Sequence, residues 1–267
     1  MHKIILITGS TDGIGLEAAK RLVANGHHVL LHGRNLEKLA ATQEALSTFP
    51  GAGAVESYQA DLSRLADVEE LAKSVTENHA KLDVLINNAG IYSVSNPMTE
   101  SGLDVRFVVN VLAPYLLTEK LLPLLGPDGR ILNLSSAAQS PVHLDAFAGK
   151  RQLPDQAAYA QSKLALTMWS RNLADKLGAN GPTVVAVNPG SLLATNMVRD
   201  AYGIAGNDIG IGADILTRAA LSDEFADANG KYFDNDSGRF ADPHPDALDT
   251  EKCEQLVQQT ERLVAAW

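Results

Sequence analysis

The sequence predicts an α/β fold in which one doubly wound parallel sheet carries helices on both of its faces. Two observations support this prediction. Short apolar runs alternate along the chain with longer amphipathic stretches, as in repeated strand–helix units. A glycine-rich segment, residues 8–15, separates the first apolar run from the first amphipathic stretch. Such a segment is typical of a tight turn from a strand into a helix.

Strands are predicted where apolar runs are short, rich in branched side chains and bounded by turn residues. The segments that meet these criteria are residues 4–7, 29–31, 84–86, 131–134 and 184–187. Residues 54–60 form a weaker candidate. Because helical stretches separate these strands, right-handed crossovers place them side by side in parallel.

Amphipathic stretches predict the helices that connect these strands. They cover about residues 14–25, 36–46, 66–80, 103–125 and 157–177. From about Asn196 onward the pattern is irregular until a last helix, predicted over residues 246–265 with an apolar face. No internal repeat and no linker interrupts the chain, so we predict a single domain over residues 1–267.

Composition excludes several classes of function. The 267 residues carry 22 Lys and Arg against 32 Asp and Glu, a net charge of −10 that opposes binding to nucleic acid or to anionic membranes. Cys253 is the only cysteine, which excludes an intrachain disulfide. The seven histidines show no metal-ligand spacing, so no metal site is predicted. No apolar run approaches the length of a membrane span and no signal peptide is evident. We therefore expect a cytoplasmic protein.

The glycine-rich segment is a candidate phosphate-binding loop. Gly9, Gly13 and Gly15 give the spacing G-x-x-x-G-x-G, which differs from the commoner G-x-G-x-x-G. Backbone N–H groups in such a loop approach a pyrophosphate, which then lies at the N-terminus of the following helix. The candidate contacts are Gly9, Ser10, Asp12, Gly13, Ile14 and Gly15. Alone, the loop is also compatible with an ordinary strand–helix turn.

Further motifs make the chain resemble the short-chain dehydrogenase/reductase family. They follow in the family's order over residues 3–195: Asp61-Leu62, Asn87-Asn88-Ala89-Gly90, Asn110, Ser135-Ser136, Tyr159-Ala160-Gln161-Ser162-Lys163 and Asn188-Pro189-Gly190. Each motif is short, but the ordered set is specific. The resemblance implies a Rossmann-type fold and a nicotinamide-dependent oxidoreductase that acts on a small-molecule alcohol, aldehyde or ketone.

The residues after the second strand favour NADP(H), with NAD(H) as the alternative cofactor. An acidic residue there selects NAD, but this chain has Gly33 followed by Arg34, whose guanidinium suits the 2′-phosphate. Ser10 and Asn35 are candidates for a further phosphate contact. Asp12 is a complication, because many NADP-preferring relatives carry a basic residue in that loop. Arg34 is also compatible with a solvated residue at the start of a helix.

The resemblance assigns further cofactor contacts. Asp61 and Leu62 match positions that hold the adenine ring, and Asn88, Ala89 and Gly90 match the segment that lines the adenosine ribose. Pro189, Gly190 and Thr195 match the stretch that touches the nicotinamide amide and the phosphates.

The candidate catalytic residues are Asn110, Ser136, Tyr159 and Lys163. Tyr159 and Lys163 lie one helical turn apart, so they share a face. A nearby ammonium is expected to lower the tyrosine pKa and to make the phenol a usable acid or base. By resemblance Lys163 also binds the nicotinamide ribose, Ser136 rather than Ser135 binds the substrate oxygen, and Asn110 holds a water that links the lysine to solvent.

Two segments are expected near the substrate. The separation of Ser136 from Tyr159 is longer than in most of the family, and the added segment, 141–154, resembles that of the retinol-dehydrogenase-like branch. Members of that branch commonly have a membrane anchor, which we do not expect in this chain. Whether the added segment touches substrate stays open. Residues 196–212 match the substrate lid. The resemblance also implies a homo-oligomer, a dimer or a tetramer, built on the helices near 103–125 and 157–177.

Two competing functions remain at this stage. The first is a cofactor-binding sensor or scaffold that has lost its chemistry, although the intact Asn110, Ser136, Tyr159 and Lys163 argue against it. The second is a sugar-nucleotide epimerase or dehydratase, which the short chain after Thr195 disfavours because those proteins add a larger C-terminal domain.

Overall fold

The computed structural model describes residues 2–267 and contains one eight-stranded sheet, so residue 1 of the predicted domain lies outside the described part. The strand order is β3-β2-β1-β4-β5-β6-β7-β8. The strands are β1 (Ile4–Ile7), β2 (His28–Gly33), β3 (Val55–Gln59), β4 (Leu82–Asn87), β5 (Leu125–Leu134), β6 (Thr183–Asn188), β7 (Tyr232–Asp234) and β8 (Arg239–Ala241). Only β8 runs antiparallel to its neighbour. The doubly wound prediction is therefore confirmed.

Ten helices surround the sheet in the described part of the chain. They are α1 (Gly13–Ala24), α2 (Leu36–Ser47), α3 (Leu65–Asn78), α4 (Val105–Phe107), α5 (Ala113–Leu121), α6 (Leu144–Phe147), α7 (Asp155–Leu177), α8 (Asn196–Tyr202), α9 (Ile209–Leu221) and α10 (Thr250–Ala265). One apolar core lies under α1, α2 and α9, and a second lies under α3, α5 and α7. Helices therefore cover both faces, as a parallel sheet requires.

Strand order reverses at β1, since β2 pairs with one side of it and β4 with the other. The crevice at the carboxyl ends of these strands is the usual ligand site of open parallel sheets. The glycine-rich loop follows β1, and Ser135 and Ser136 follow β5 at the same edge. The fold therefore brings the predicted motifs to one edge of the sheet.

The prediction of an irregular region after Asn196 is wrong. Helices α8 and α9 and the hairpin of β7 and β8 lie in this region. Both strands have three residues, which is too short for an alternating pattern to be recognised. The last helix begins at Thr250, because the predicted start near residue 246 falls in a 3-10 turn, Pro245–Ala247.

The predicted helix over 103–125 is interrupted by a π-helical turn, Val108–Leu112, in which Ala113 N donates to the carbonyl of Val108. Pro114 has no N–H to donate to the carbonyl of Asn110, which disfavours regular α-helical pairing there. Contrary to the sequence prediction, the stretch Val105–Leu124 is long and apolar enough to span a bilayer, but 72% of its most apolar window is buried. Its apolar side chains contribute to the protein core.

The C-terminal helix packs on its own chain. Leu256, Val257 and Cys253 of α10 are buried in the core that includes α7, and Tyr115 of α5 donates to Glu261. The buried face of this helix therefore packs within its own chain.

The segment 141–154 is anchored and includes a short helix, α6. Phe147 is fully buried and packs edge-to-face on Phe107, with ring centroids 5.2 Å apart. At the segment's end, the buried Arg106 donates to Asp155 and pairs with Asp104 at 2.6 Å. Whether the segment contacts substrate stays a prediction, but its conformation is determined by packing.

Candidate active site

The glycine loop packs so closely on the end of β4 that no side chain fits at two of its glycines. A Cβ at Gly15 would lie 2.4 Å from Asn88 Nδ2 and from the carbonyl oxygen of Gly9. Gly9 has a φ of +67°, and a Cβ there would lie 3.0 Å from Ala89 Cα. Asn88 Nδ2 donates to the carbonyls of Thr8 and Gly9 at 2.8 and 3.1 Å. These contacts therefore fix the loop against the end of β4, just before Gly13 and Ile14 at the N-terminus of α1.

A buried histidine that sequence reasoning did not select holds the same loop. His32 Nδ1 accepts from the N–H of Gly9 at 3.0 Å, and its Nε2 lies 3.2 Å from the carbonyl of Ala60. Burial lowers the pKa of His32 to about 4, so the ring is neutral and donates through Nε2. Ser10 is also fully buried, and its hydroxyl is bonded to the backbone of His32. The expected phosphate contact from the Ser10 side chain is therefore wrong.

The neutral His32 makes stability depend on pH. The unfolded histidine takes up a proton below its ordinary pKa of about 6.5, whereas the folded one resists protonation down to about pH 4. We expect the His32 contribution to fall by about 2 kcal/mol between pH 7.5 and pH 5. Urea unfolding of wild type and His32→Asn at both pH values measures it, since asparagine retains an acceptor that does not titrate. Equal pH dependence in both proteins would contradict this assignment.

An exposed cation, Arg34, follows the second strand at the position where the sequence predicts the contact to the 2′-phosphate. Arg34 is exposed, and Asn35 caps α2 by accepting from Lys38 N at 2.8 Å. A Cβ at Gly33 would lie 2.8 Å from Thr11 Cγ2, so an aspartate there requires Thr11 to move. An acidic side chain of the kind that selects NAD therefore does not fit at position 33 unless Thr11 moves.

Asp12 has a structural role that explains the acid in the loop. It caps α1 by accepting from Gly13 N at 2.8 Å, and it pairs with Lys38 Nζ at 2.7 Å. Its other contact is Asn196 Nδ2 at 2.7 Å, at the start of α8. The hydrogen bond from Lys38 is the main cause of the lowered pKa of Asp12. Asp12 therefore links the glycine loop, α2 and the predicted lid.

Tyr159 and Ser136 meet at the carboxyl edge of the sheet. Burial raises the pKa of Tyr159 to about 12, and a hydrogen bond with Ser136 opposes that rise. Ser135 faces the other way: it is buried and lies 2.7 Å from Thr167 Oγ1. The geometry therefore places Ser136, the serine chosen from sequence, beside the phenol.

Lys163 is a buried cation with one protein acceptor. Its Nζ donates to the carbonyl of Leu134 at 2.7 Å and lies 5.5 Å from the ring centroid of Tyr159. Only 4% of the residue is exposed, and this burial lowers its pKa to about 8. An ammonium has three N–H donors, so it retains donors for a bound ligand.

The expectation that the pKa of Tyr159 is lowered overall is wrong for this structure. The pKa of the phenol is raised, because loss of hydration outweighs the stabilising contact from Ser136. At neutral pH Tyr159 is therefore a neutral phenol, the form that donates a proton.

Asn110 is buried, and its side chain joins two segments of the chain through hydrogen bonds. Its Oδ1 accepts from Ile91 N, while its Nδ2 lies 2.9 Å from both the carbonyl of Ile91 and Ser162 Oγ. A Cβ at Gly90 would lie 3.3 Å from Lys163 Nζ and 3.5 Å from Asn110 Oδ1. Asn110 thus positions the chain beside the lysine, and the expected water link stays a prediction.

Aromatic rings border Tyr159. Tyr92, which the sequence did not single out, lies 5.0 Å from Tyr159 between ring centroids and 5.8 Å from Tyr202 of α8. Tyr92 follows the Asn-Ala-Gly motif by two residues, but it has no spacing pattern that marks it. The predicted lid therefore contributes Tyr202 beside the candidate catalytic tyrosine.

The remaining predicted contacts lie at the same edge. Asp61 Oδ1 accepts from Ser63 and Leu62 is buried. Asn235 Nδ2 donates to the carbonyl of Pro189 at 3.0 Å, and Gly190 has a φ of +119°. Thr195 caps α8 through Val198 N. The contact from Asn235 was not predicted, because Asn235 lies in the unrecognised hairpin.

The profile of the short chain dehydrogenase family matches residues 3–203, three quarters of the chain. The chain belongs to this family. This short-chain dehydrogenase is 32% identical to human retinol dehydrogenase 13 over 98% of its own length and 84% of that protein, so it resembles the retinol dehydrogenase branch. The family prediction is confirmed, and with it the class of oxidoreductase.

Solved structures agree with the fold. An uncharacterized protein from Mycobacterium paratuberculosis superposes with a TM-score of 0.81 at 27% identity, covering 98% of this short-chain dehydrogenase and 93% of that chain. The NADP complex of RhlG from Pseudomonas aeruginosa gives a TM-score of 0.71 at 27% identity, covering 88% and 95%.

The residues of this short-chain dehydrogenase fit a nicotinamide dinucleotide. At Gly13, the nearest atom to an added Cβ would be Thr195 Cγ2 at 3.7 Å, so the start of α1 leaves space beside the loop for close approach of a pyrophosphate. The buried Lys163 retains donors for ribose hydroxyls. Both features are observed in this chain itself and do not depend on its similarity to other proteins.

Proposed function

We propose that this protein is an NADP(H)-dependent reductase or dehydrogenase that interconverts a carbonyl group and an alcohol on a small, largely apolar molecule. The observation that carries the proposal is the cluster of Tyr159, Ser136 and the buried Lys163. It combines a neutral proton donor, a hydrogen-bond donor for the substrate oxygen and a cation. These are the groups that the conversion of a carbonyl to an alcohol requires.

In the reducing direction, Ser136 donates a hydrogen bond to the substrate oxygen. This bond stabilises the negative charge that develops there. Tyr159 then gives its proton to the same oxygen, because its pKa of about 12 keeps the phenol protonated at neutral pH. When bound, the nicotinamide supplies or accepts the hydride. Alcohol oxidation uses the same groups in reverse and requires Tyr159 to accept a proton.

Lys163 has two tasks in this proposal. Its free N–H groups bind the nicotinamide ribose, and its charge stabilises the phenolate left after proton transfer. Asn110 acts as a positioning residue, because it holds the backbone of Ile91 and the turn at Gly90 next to the lysine. A water-mediated route from Lys163 to solvent would return the proton.

The cofactor is held along the carboxyl edge of the sheet. Gly9, Gly13, Ile14 and Gly15 would face the pyrophosphate, and Asp61, Leu62, Asn88 and Ala89 would face the adenosine. Pro189, Gly190 and Thr195 would approach the nicotinamide. Tyr92 and Tyr202 offer aromatic faces beside Tyr159, which favours an apolar substrate.

Arg34 is expected to set the preference for NADP(H). Arg34→Ala should raise the KM for NADPH by about ten- to a hundredfold, because a charged hydrogen bond to the 2′-phosphate is lost. The KM for NADH should change less than about threefold, because NADH carries no phosphate there. Arg262→Ala is the matched control, since Arg262 is exposed on α10. An equal loss for both cofactors would contradict the assignment.

The proposed function is tested by NADPH consumption against a panel of aldehydes and ketones, with NADPH binding measured separately by fluorescence. Turnover of at least one apolar carbonyl compound is the expected result. Tight NADPH binding without turnover on any member of the panel would favour the sensor or scaffold instead.

A further inference from the structure

A cluster of possible metal ligands lies at the opposite end of the sheet from Tyr159. His28 is the first residue of β2, Glu56 is the second residue of β3, and His79 follows the last turn of α3. One ligand atom from each residue lies within 4.8 Å of those from the other two. The active-site residues lie at the carboxyl ends of the strands, so this cluster is a separate feature.

Strand pairing brings the three residues together. In the parallel register of β2 and β3, Leu30 lies opposite Glu56, so His28 and Glu56 project from the same face. Helix α3 covers that face, and His79 ends the helix directly above it. The sequence prediction of no metal site relied on spacing along the chain, which cannot show residues that meet only through a sheet.

The atoms face one another at short range. Glu56 Oε1 lies 2.8 Å from His28 Nε2, and Glu56 Oε2 lies 3.2 Å from His79 Nε2. Tyr58 donates to Glu56 Oε2 at 2.9 Å. The His79 side chain is 7% exposed, whereas that of Glu56 is 41% exposed, so the cluster is anchored in the interior and open to solvent on one side.

One nitrogen in this cluster lacks a hydrogen bond. Among the described residues, His28 Nε2 is buried without a hydrogen-bond partner although Glu56 is close. A buried ring nitrogen that makes no hydrogen bond is costly. A metal ion bound by this nitrogen would remove that cost and would also neutralise Glu56.

We propose that His28, Glu56 and His79 bind one Zn²⁺ ion, with water as the fourth ligand. Two imidazoles and one carboxylate are a ligand set that zinc accepts in tetrahedral geometry. Ligands about 2.1 Å from a tetrahedral zinc are about 3.4 Å apart, so side-chain shifts of about 1 Å complete the site. The hydrogen bond from Tyr58 orients the carboxylate, as outer partners of metal ligands commonly do.

The zinc would stabilise the fold rather than take part in catalysis. It would join the C-terminus of α3 to β2 and the edge strand β3. The two strands already pair through their backbones, whereas α3 meets them through side-chain contacts. Binding to the folded state alone raises stability by mass action. At a zinc concentration a hundredfold above Kd, we expect a rise in Tm of roughly 5 °C for a chain of this size.

The test uses the full chain without a polyhistidine tag, freed of metal by chelation and titrated with ZnCl₂ in a calorimeter. One ion per chain is expected, with a rise in Tm, while CaCl₂ and MgCl₂ should not bind because both cations prefer oxygen ligands. Replacement of Zn²⁺ by Co²⁺ should give the visible absorption of a four-coordinate site.

Variants assign the ion to these residues. His79→Gln and Glu56→Gln should each weaken zinc binding by at least about a hundredfold, and Tyr58→Phe by about tenfold. His143→Gln is the matched control, because His143 is exposed in the segment 141–154. If His79→Gln fails to fold, zinc binding by Glu56→Gln and Tyr58→Phe still tests the proposed site. No zinc binding by wild type, or equal binding by wild type and Glu56→Gln, would overturn the proposal.

Discussion

Replacing Tyr159 with phenylalanine is expected to lower kcat for carbonyl reduction by at least about a thousandfold while the Kd for NADPH stays within about threefold. The variant keeps the ring that packs on Tyr92 and removes only the hydroxyl that faces Ser136. Without it, no proton reaches the substrate oxygen from the protein at that position. Steady-state NADPH oxidation and fluorescence titration of NADPH measure the two quantities.

Tyr115→Phe is the matched control for this experiment. Tyr115 is also a largely buried tyrosine, but its hydroxyl donates to Glu261 on the C-terminal helix. Its loss should leave kcat within about twofold, because it makes no contact with the proposed reacting atoms. Near-normal turnover by Tyr159→Phe would refute the assigned proton donor. A parallel loss of NADPH binding would instead indicate that the hydroxyl holds the cofactor.

The central architecture was predictable because each element carries a strong local signal. The apolar runs at residues 4–7, 84–86 and 184–187 belong to strands buried on both faces, where every position is apolar. Tyr159 and Lys163 were predictable as a pair because a helix brings such spacing to one face. Their electrostatics were not predictable, since loss of hydration dominates the pKa of both groups.

The features missed by sequence analysis depend on tertiary contacts. His32 acts through two backbone groups, the N–H of Gly9 and the carbonyl of Ala60, and its identity alone gives no such signal. Tyr92 becomes part of the site only because the fold brings its ring against Tyr159 of α7 and Tyr202 of α8. The cluster at His28 requires the register between β2 and β3. Pairing distant segments is the information that one sequence lacks.

Lys163→Met is expected to lower activity and, at the same time, to raise the stability of the fold. Methionine keeps an unbranched, flexible side chain in the buried position but removes the charge. We expect turnover to fall by about a hundredfold or more, because the variant loses the cation that stabilises the Tyr159 phenolate. The Kd for NADPH should rise about tenfold with the loss of hydrogen bonds to the ribose.

The same variant should unfold at a higher urea concentration than wild type. The pKa of the buried Lys163 is about 8, against 10.5 for the free side chain, so at pH 7 its charge costs the folded state about 3 kcal/mol. Loss of the hydrogen bond to the carbonyl of Leu134 offsets about 1 kcal/mol of this gain. The net expectation without cofactor is a gain of about 2 kcal/mol.

The difference in stability between wild type and Lys163→Met should depend on pH in a defined direction. A lysine whose pKa is lowered on folding destabilises the protein while the unfolded chain is protonated, and the cost disappears as pH rises from about 8 to 10.5. The advantage of Lys163→Met should therefore shrink over that range. In wild type, kcat/KM for reduction should fall above about pH 8, as the free enzyme loses the lysine proton.

Lys176→Met is the matched control, because Lys176 lies near the end of the same helix with its side chain 57% exposed. It should change neither turnover nor the dependence of stability on pH. If Lys163→Met were less stable than wild type at pH 7, the ammonium would be held by more favourable contacts than its single bond to Leu134 provides. A stable but inactive Lys163→Met would instead show that the protein accepts a buried charge at a cost in stability because catalysis requires it.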